Sequence, residues 1–193
     1  NDPGVGLLTP KIYFAKGYEF HKDAYPISDL GRVIWSAGGE IDWDNVYGRN
    51  AHVDEVDNGQ FASAQDTDFA TGACLLVKRE VFAQIGLIDE RYFLYLEDLE
   101  FSLRARHAGW RIVFDPSVQI WHKVSQASAI GSPLNDYFIT RNRLLFAATY
   151  AKPWTRFAIV RESLRFLLSG RKAQKIGVID FYRHKFGPGS WLK

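Results

Sequence analysis

Residues 93–122 constrain the fold of this chain more than any other stretch. Two adjacent carboxylates, Glu97 and Asp98, stand at the start of a predicted helix, and Gly109 marks its end. Two short apolar strand patterns, separated by an Asp-Pro pair, then carry the chain to His122. This order predicts that an acidic pair and an imidazole lie at the same end of a β-sheet.

The remainder of the chain alternates strand and helix patterns. Strands are predicted at residues 5–14 (broken by Pro10), 32–39, 69–77, 111–114 and 118–121, and helices at 78–85, 96–107 and 137–150 and from Pro153 onward. The stretch 40–68 is acidic and poor in aliphatic residues, which favours a long mobile or ligand-covering loop. The alternation predicts an α/β class with a mixed sheet.

Composition excludes several classes of function. The net charge of +2, without a dominant basic run, gives no reason to expect a nucleic-acid partner. The single cysteine, Cys74, excludes an internal disulfide and favours a reducing compartment. No apolar run reaches the roughly 18–20 residues that span a bilayer. An aromatic content of 15% suits surfaces that pack sugars or flat rings, although aromatic cores are commoner.

The start of the chain is unlike that of a complete natural protein. It reads Asn1-Asp2-Pro3-Gly4, and the chain contains no methionine. We therefore expect this sequence to be a fragment of a longer protein.

The carboxylates of Glu97 and Asp98 have two interpretations. Negative charge in the first turn of a helix is favoured by the helix dipole, so both residues are explained by helix stability alone. Alternatively, one of them faces a cleft and takes a proton from a hydroxyl nucleophile. Adjacent helical residues point about 100° apart, so only one can face a substrate well. Nearby, Glu100 and Arg104 have the spacing of an exposed helix ion pair.

His122 also has two interpretations. A lone histidine is usually a structural hydrogen-bonding group, but imidazole also binds divalent metals such as Mn²⁺ together with carboxylates. Two Asp-x-Asp pairs have suitable spacing, Asp42 with Asp44 and Asp66 with Asp68. Both pairs fall in the predicted loop, so we do not expect them to be metal ligands.

The predicted helix from Pro153 carries an apolar stripe flanked by arginines. The stripe consists of Phe157, Val160, Leu164, Leu167 and Leu168. One interpretation is a helix that buries this stripe against its own domain, which we prefer here. The other is a helix that lies on a membrane surface.

The sequence resembles the acceptor half of inverting glycosyltransferases of family 2, which have the GT-A fold. The resemblance covers about residues 5–150. It rests on Thr71-Gly72-Ala73-Cys74, Phe82, residues 85–90, Phe93-Leu94-Tyr95, Glu97-Asp98, residues 103–106, Gly109-Trp110, Pro116 and His122. Arg141-Asn142 is similar to a pair in rhamnosyl- and galactofuranosyl-transferase-like members.

The resemblance implies a role for each matching residue. Asp98 would be the catalytic base that deprotonates an acceptor hydroxyl, and Glu97 would contact the acceptor. The hydroxyl would attack the anomeric carbon of a nucleotide-sugar and invert its configuration. Substrate-binding residues would be Thr71, Gly72, Ala73, Trp110, Arg141 and Asn142. His122 would help to hold a divalent ion (Mn²⁺ or Mg²⁺) that neutralises the leaving diphosphate.

The resemblance also implies an organisation. Residues 1–150 would form the acceptor and catalytic half of a GT-A-like domain, a partial mixed sheet flanked by helices, and residues 151–193 a C-terminal helical extension. The nucleotide-binding half, with its Asp-x-Asp motif, would precede Asn1, so the fragment alone is expected to be inactive. An exposed sheet edge would then favour homo-oligomers.

The expected partners are a nucleotide-sugar donor and a glycan or lipid-linked acceptor. Because lipid-linked acceptors are common in the family, we expect a cytoplasmic protein working at the inner face of the cell membrane, in cell-wall or polysaccharide synthesis. The sequence does not specify the donor sugar, the acceptor or the linkage.

Two other functions are compatible with the same residues. One is a non-catalytic carbohydrate-binding module, in which Asp98 only binds hydroxyl groups. The other is a glycoside hydrolase that uses Glu97 or Asp98 together with Asp89, although nothing in the sequence specifies a matched acid partner.

Overall fold

The structure is a computed structural model that describes residues 2–124 and 131–191. Residues 1, 125–130, 192 and 193, which the predicted domains 1–150 and 151–193 include, lie outside the described residues. The predicted mixed α/β class is confirmed. The predicted domain boundary after residue 150 stays a prediction.

Seven strands and five α-helices are formed by the described residues. The strands are β1 (Val5–Phe14), β2 (Ile34–Ser36), β3 (Gly39–Asp42), β4 (Tyr47–Asn50), β5 (Gln65–Asp66), β6 (Leu76–Val77) and β7 (Arg111–His122). The helices are α1 (Arg79–Ile85), α2 (Glu97–His107), α3 (Pro133–Tyr150), α4 (Pro153–Ser169) and α5 (Lys172–Tyr182). Within these residues no helix has both the length and the apolar character to cross a bilayer.

The chain divides into two compact units. One comprises Asn1–Ile41, Gly48–Leu87 and Phe101–Val124, and the other comprises Asp42–Tyr47, Ile88–Glu100 and Ser125–Lys193, as far as these are described. The larger sheet belongs to the first unit and helices α3 to α5 to the second. Helix α2 contributes its first turn to the second unit and the remainder to the first.

The larger sheet of the first unit is built around β1. Its order is β2-β1-β7-β5, and β6 also pairs with β1. Strands β1 and β7 run parallel, whereas the other pairs are antiparallel. Because β1 is central, eight of its ten residues are buried, as is typical of a strand covered on both faces. This arrangement confirms the predicted mixed sheet.

Two predicted strand breaks are absent. Strand β1 continues through Pro10, and β7 continues through Asp115 and Pro116. The reason is a shift of register at the same place in both strands: Pro10 lies opposite Asp115, and the next residue, Lys11, lies opposite Gln119. A proline, which has no N–H to donate, is tolerated at such an irregularity.

The acidic stretch 40–68 is not simply a loop. It contains strands β3, β4 and β5, and Asp57 is buried. Lys11 Nζ lies 2.7 Å from Asp57 Oδ2, and the Tyr13 hydroxyl donates to the same oxygen at 2.5 Å. Burial alone would raise the pKa of Asp57, but these donors and the Gly59 N–H hold it below its ordinary value. Asp57 therefore belongs to the core beside β1.

An apolar cluster fixes the later turns of α2 to the sheet. It joins Phe101 and Ala105 of α2 to Leu7 of β1 and Ile112 of β7, all at most 2% exposed, and it also includes Val81 of α1. Complete burial of one such side chain contributes about 1.5–3 kcal/mol. Glycines in the left-handed region follow both helices, Gly86 at φ +78° and Gly109 at φ +93°, as the sequence predicts.

The second unit is helical. Helix α3 begins at an N-cap, where the Ser132 Oγ accepts the Asn135 N–H at 3.2 Å, and Pro133 occupies the first helical position. It packs against α4 and α5. Helix α5 lies within the predicted helical extension 151–193 but was not predicted as a separate helix.

Helix α4 packs against α3 and α5 of its own unit, as preferred, but not through the predicted apolar stripe. The helix is present, but the residues that it buries are Thr155, Ile159 and Ser163. The predicted stripe points outward: Phe157 is 70% exposed and Leu168 is 84% exposed.

Candidate functional site

The predicted acidic pair lies in the first turn of α2. Glu97 and Asp98 are the first two residues of the helix, and the Leu99 N–H donates to Asp98 Oδ1 at 2.8 Å. The last turn carries Arg104, Arg106 and His107, so both ends of α2 complement the helix dipole. The helix N-terminus therefore stabilises a negative charge on Asp98.

Glu97 is in a less favourable place. Its Oε2 is buried and has no hydrogen-bond partner among the described residues. Burial, and secondarily the negative charge of Asp98, raise the pKa of Glu97 from 4.5 to about 7. Burial of a carboxyl oxygen without a hydrogen-bond partner lowers the stability of the folded state. Such groups are typical of ligand-binding and active sites.

We expect Glu97 to make the protein less stable as the pH rises. Between about pH 4.5 and 7 the folded chain holds a proton at Glu97 that the unfolded chain has released. The free energy of unfolding therefore falls across this range, by about 3 kcal/mol in total. In Glu97→Gln this loss is absent, so the variant gains stability relative to wild type between pH 5.5 and pH 8.5, measured by urea unfolding. Glu90→Gln, at an exposed carboxylate, is the matched control, and its profile should parallel that of wild type. Parallel profiles for wild type and Glu97→Gln would contradict the expectation.

The segment before α2 has an unusual backbone. Phe93, Tyr95 and Leu96 have φ values of +62°, +67° and +66°, in the left-handed region that side chains disfavour. Such residues cost on the order of 1–3 kcal/mol each and persist only where surrounding structure holds them. The chain thus reaches Glu97 through a segment in which three of four residues are strained.

Arg141 and Asn142 of α3 hold this segment in place. Asn142 Nδ2 donates to the carbonyl oxygens of Tyr92, Leu94 and Tyr95 at 2.8–2.9 Å. Arg141 Nη2 donates to the Tyr92 carbonyl at 2.9 Å, and its Nε donates to Asn142 Oδ1 at 3.0 Å. The two side chains therefore connect the carbonyl groups of the strained turn to α3.

This placement changes the interpretation of Arg141 and Asn142. We predicted from the resemblance that they bind substrate, but both side chains are fully buried. Burial and these hydrogen bonds show that the two residues position the segment before α2, and their contact with a substrate stays a prediction.

Glu100 differs from its prediction too. It is 3% exposed, whereas the sequence predicts an exposed side chain, and it accepts a hydrogen bond from the Tyr150 hydroxyl at 2.7 Å. Arg104 donates to the carbonyl oxygens of Ile85 and Leu87 at 2.5 and 2.9 Å. These two residues therefore help to fix the structure around α2.

The predicted substrate-binding turn, residues 71–73, lies in the first unit. It is closed by the Cys74 N–H, which donates to the Thr71 carbonyl at 3.2 Å. The preceding Ala70 N–H donates to Ser102 Oγ of α2 at 3.1 Å. Ser102 is fully buried, and sequence analysis did not single it out. The turn is thus attached to the part of α2 that belongs to the same unit.

His122 is the last residue of β7 and lies opposite Phe14, the last residue of β1. The carboxyl ends of parallel strands are where α/β sheets usually bind ligands. The rings of His122 and Trp35 pack edge-on, with their centroids 4.7 Å apart. The backbone carbonyl of His122 accepts the Ala15 N–H at 2.9 Å. Burial lowers the pKa of His122, which favours the neutral imidazole that a metal requires.

Comparison with known proteins identifies the family. Residues 28–146, more than half of the chain, match the sequence profile described as glycosyltransferase like family 2. The chain belongs to glycosyltransferase family 2.

Relatives of known name support this assignment. The chain is 33% identical over 109 residues to the N-acetylglucosaminyl-diphospho-decaprenol L-rhamnosyltransferase of Mycobacterium tuberculosis, covering 56% of this chain and 35% of that protein. It is 32% identical over 115 residues to the low-salt glycan biosynthesis hexosyltransferase Agl10 of Haloferax volcanii, covering 58% of this chain and 36% of that protein. The chain therefore spans about a third of the length of these relatives.

Trp110 of this family 2 chain lines a cavity in the first unit. The cavity has a volume of about 480 Å³ and is also bordered by His52, Asp66, Asp68 and Arg106. The indole Nε1 of Trp110 donates to Gln84 Oε1 at 2.7 Å, which fixes the ring. Contact of Trp110 with a substrate stays a prediction.

The described residues of this family 2 chain do not supply a complete set of ligands for the expected divalent ion. Residues 2–124 and 131–191 contain no group of three or more His, Cys, Asp or Glu side chains that could hold a metal. Asp66 and Asp68 form ion pairs with Arg111 and Arg106, each at 2.7 Å. His122 would therefore supply one ligand, and the described residues by themselves do not complete a site for the ion.

Proposed function

We propose that this chain is part of a glycosyltransferase that moves a sugar from a nucleotide-sugar to a hydroxyl group of a glycan or lipid-linked acceptor, with inversion. The observation that carries the proposal is the acidic pair Glu97-Asp98 at the start of α2, held there by buried Arg141 and Asn142 in a family 2 domain. Strain, burial and an unsatisfied carboxyl oxygen coincide at this one turn, as is common at active sites.

Asp98 is the proposed general base. Its carboxylate accepts the Leu99 N–H, and the N-terminus of α2 stabilises its charge. In the proposed step Asp98 takes the proton of the acceptor hydroxyl while that oxygen bonds to the anomeric carbon. The bond from that carbon to the diphosphate breaks on the opposite side, and the nucleoside diphosphate leaves.

Glu97 has a different role in this proposal. With a pKa of about 7, it carries a proton for part of the time at neutral pH. A protonated carboxyl can donate a hydrogen bond to an acceptor oxygen, which an ionised carboxylate cannot. Adjacent carboxyl groups in unlike environments are a common way to divide acid and base roles.

His122 is the proposed metal ligand of this chain, with the remaining ligands coming from outside the described residues. A divalent ion would supply positive charge for the leaving diphosphate. What the chain itself provides is the neutral imidazole at the end of β7.

The relatives suggest the class of acceptor. The name of the mycobacterial relative describes transfer of L-rhamnose to a sugar linked through diphosphate to decaprenol. We propose an acceptor of this kind for the present chain, a sugar on a polyprenyl diphosphate. Such an acceptor lies at a membrane surface, and we propose the cytoplasmic face, with which the free thiol of Cys74 is compatible.

A transfer assay on the full-length protein tests this proposal. Nucleotide-sugars that include the rhamnose donor are incubated with and without N-acetylglucosaminyl-diphospho-polyprenol. We expect release of nucleoside diphosphate only when acceptor is present, in equal amount to the new glycoside, with the anomeric configuration inverted by NMR. Release of free sugar would instead support a hydrolase. Binding of donor and acceptor without turnover would support a non-catalytic carbohydrate-binding module.

A further inference from the structure

Helix α4 carries an exposed apolar face. Its members are Trp154, Phe157, Val160, Leu164 and Leu168, which we call the α4 apolar face. They are spaced three or four residues apart, so they share one side of the helix. Each is between 42% and 84% exposed, and together they are more than the scattered apolar residues of an ordinary surface.

The residues on the opposite side of α4 explain why the α4 apolar face is exposed to solvent. Thr155, Ile159 and Ser163 are buried, and α4 packs against α3 and α5. Ser163 Oγ is 2.9 Å from the Tyr182 hydroxyl of α5, a hydrogen bond that fixes the rotation of the helix. The larger apolar residues therefore point away from the other helices of their own unit.

The surroundings of the α4 apolar face are strongly basic. Residues 152–172 contain six basic side chains and one acidic side chain, Glu162. Because the whole chain has a net charge of only +2, the remainder of the chain is net negative. The single acid is neutralised by Arg143, whose Nη2 lies 3.1 Å from Glu162 Oε2. Arg171 is paired with Asp136, and the other basic residues leave a net positive charge around α4.

Two arginines beside the face are available for a ligand. Arg161 and Arg165 are exposed, and neither forms an ion pair within the part of the chain that the structure describes. Together with Arg143, Asp44 and Glu162 they border a cavity of about 490 Å³. Lys152 lies over the Trp154 ring at 5.4 Å, which places a further cation at the rim of the apolar face.

We propose that α4 docks on an anionic lipid surface, with the α4 apolar face inserted among the acyl chains and its arginines on the phosphate groups. A Trp, Phe and Leu face bordered by Arg and Lys is the pattern of helices that lie in the plane of a membrane interface. A second copy of the chain fits less well, because a symmetric contact would bring the basic residues of both copies together. The proposal rests on α4 alone and is independent of the transfer reaction.

Co-sedimentation of the full-length protein with vesicles tests this proposal. The vesicles are phosphatidylcholine with and without phosphatidylglycerol. We expect wild type to bind the anionic vesicles, and Phe157→Ser/Leu164→Ser/Leu168→Ser to lower the partition coefficient at least about tenfold. Arg161→Gln/Arg165→Gln should lower it by roughly twenty-fivefold at low salt, since each basic residue near an anionic surface contributes about fivefold. High salt should reproduce the effect of the arginine substitutions.

A matched control has the same number of apolar substitutions elsewhere. Ile27, Leu87 and Val118 are exposed, and the triple serine variant at these positions should bind vesicles as wild type does. An equal loss in this control, or no binding of wild type to anionic vesicles, would overturn the proposal. The proposal would also be overturned if wild type did not bind vesicles and light scattering showed a dimer that the α4 substitutions dissociate.

Discussion

Asp98→Asn is expected to lower kcat of the full-length protein by about 10²–10⁴-fold, the usual contribution of a general base. Asparagine has nearly the same shape as aspartate, and its Oδ1 can still accept the Leu99 N–H. What it loses is the ability to take a proton from the acceptor hydroxyl. The fall should therefore appear in kcat, whereas the dissociation constants of donor and acceptor stay within a fewfold of wild type.

The controls for this prediction separate chemistry from folding. Asp23→Asn changes an exposed carboxylate in the same way and should leave kcat unchanged. The urea midpoint of Asp98→Asn should stay close to that of wild type. Unchanged turnover in Asp98→Asn would remove this residue from the role of base and would leave Glu97, with its pKa of about 7, as the remaining carboxyl of the pair.

The acidic start of α2 could be predicted because it depends on local signals. Adjacent carboxylates at a helix start and a glycine after its last turn are visible in the sequence alone, and the observed helix begins and ends within one residue of the prediction. The strained backbone before it was not predictable in this way. Phe93, Tyr95 and Leu96 do not favour positive φ, and their conformation depends on Arg141 and Asn142, which lie more than forty residues away in the sequence.

Two other differences arise from packing that a local pattern does not encode. Helix α5 contains Gly177, which reduces the helix propensity of this segment, so the local sequence does not indicate a helix here. In the structure a side chain at this position would place its Cβ 2.6 Å from the Tyr137 carbonyl of α3, so glycine is needed for the close approach of the two helices. Likewise, the rotation of α4 is set by small and polar residues, Thr155 and Ser163, rather than by its larger apolar stripe.

Arg141→Met is expected to lower the free energy of unfolding by about 3–5 kcal/mol, as is usual when one member of a buried charged network is removed. Its guanidinium donates to the carbonyl oxygens of Arg91, Tyr92 and Gly187 at 2.7–3.1 Å. Burial lowers the pKa of Arg141, because a buried guanidinium charge loses its solvation by water. The carbonyl acceptors and nearby Asp180 offset part of this loss. Methionine fills much of the volume but leaves the carbonyl groups without their donor.

The loss should be concentrated in the segment before α2, because two of the three carbonyl groups belong to it. Hydrogen exchange of the amides of residues 91–96 should therefore accelerate more than that of β1 or β7. Arg183→Met, at an exposed arginine of the same unit, should change the free energy of unfolding by less than about 0.5 kcal/mol. If Arg141→Met stays as stable as this control while kcat falls, the guanidinium acts on the substrate rather than on the backbone. If stability and kcat both fall while the dissociation constants for donor and acceptor are unchanged, Arg141 is a positioning residue. A displaced Asp98 would still permit both substrates to bind but would no longer reach the acceptor hydroxyl.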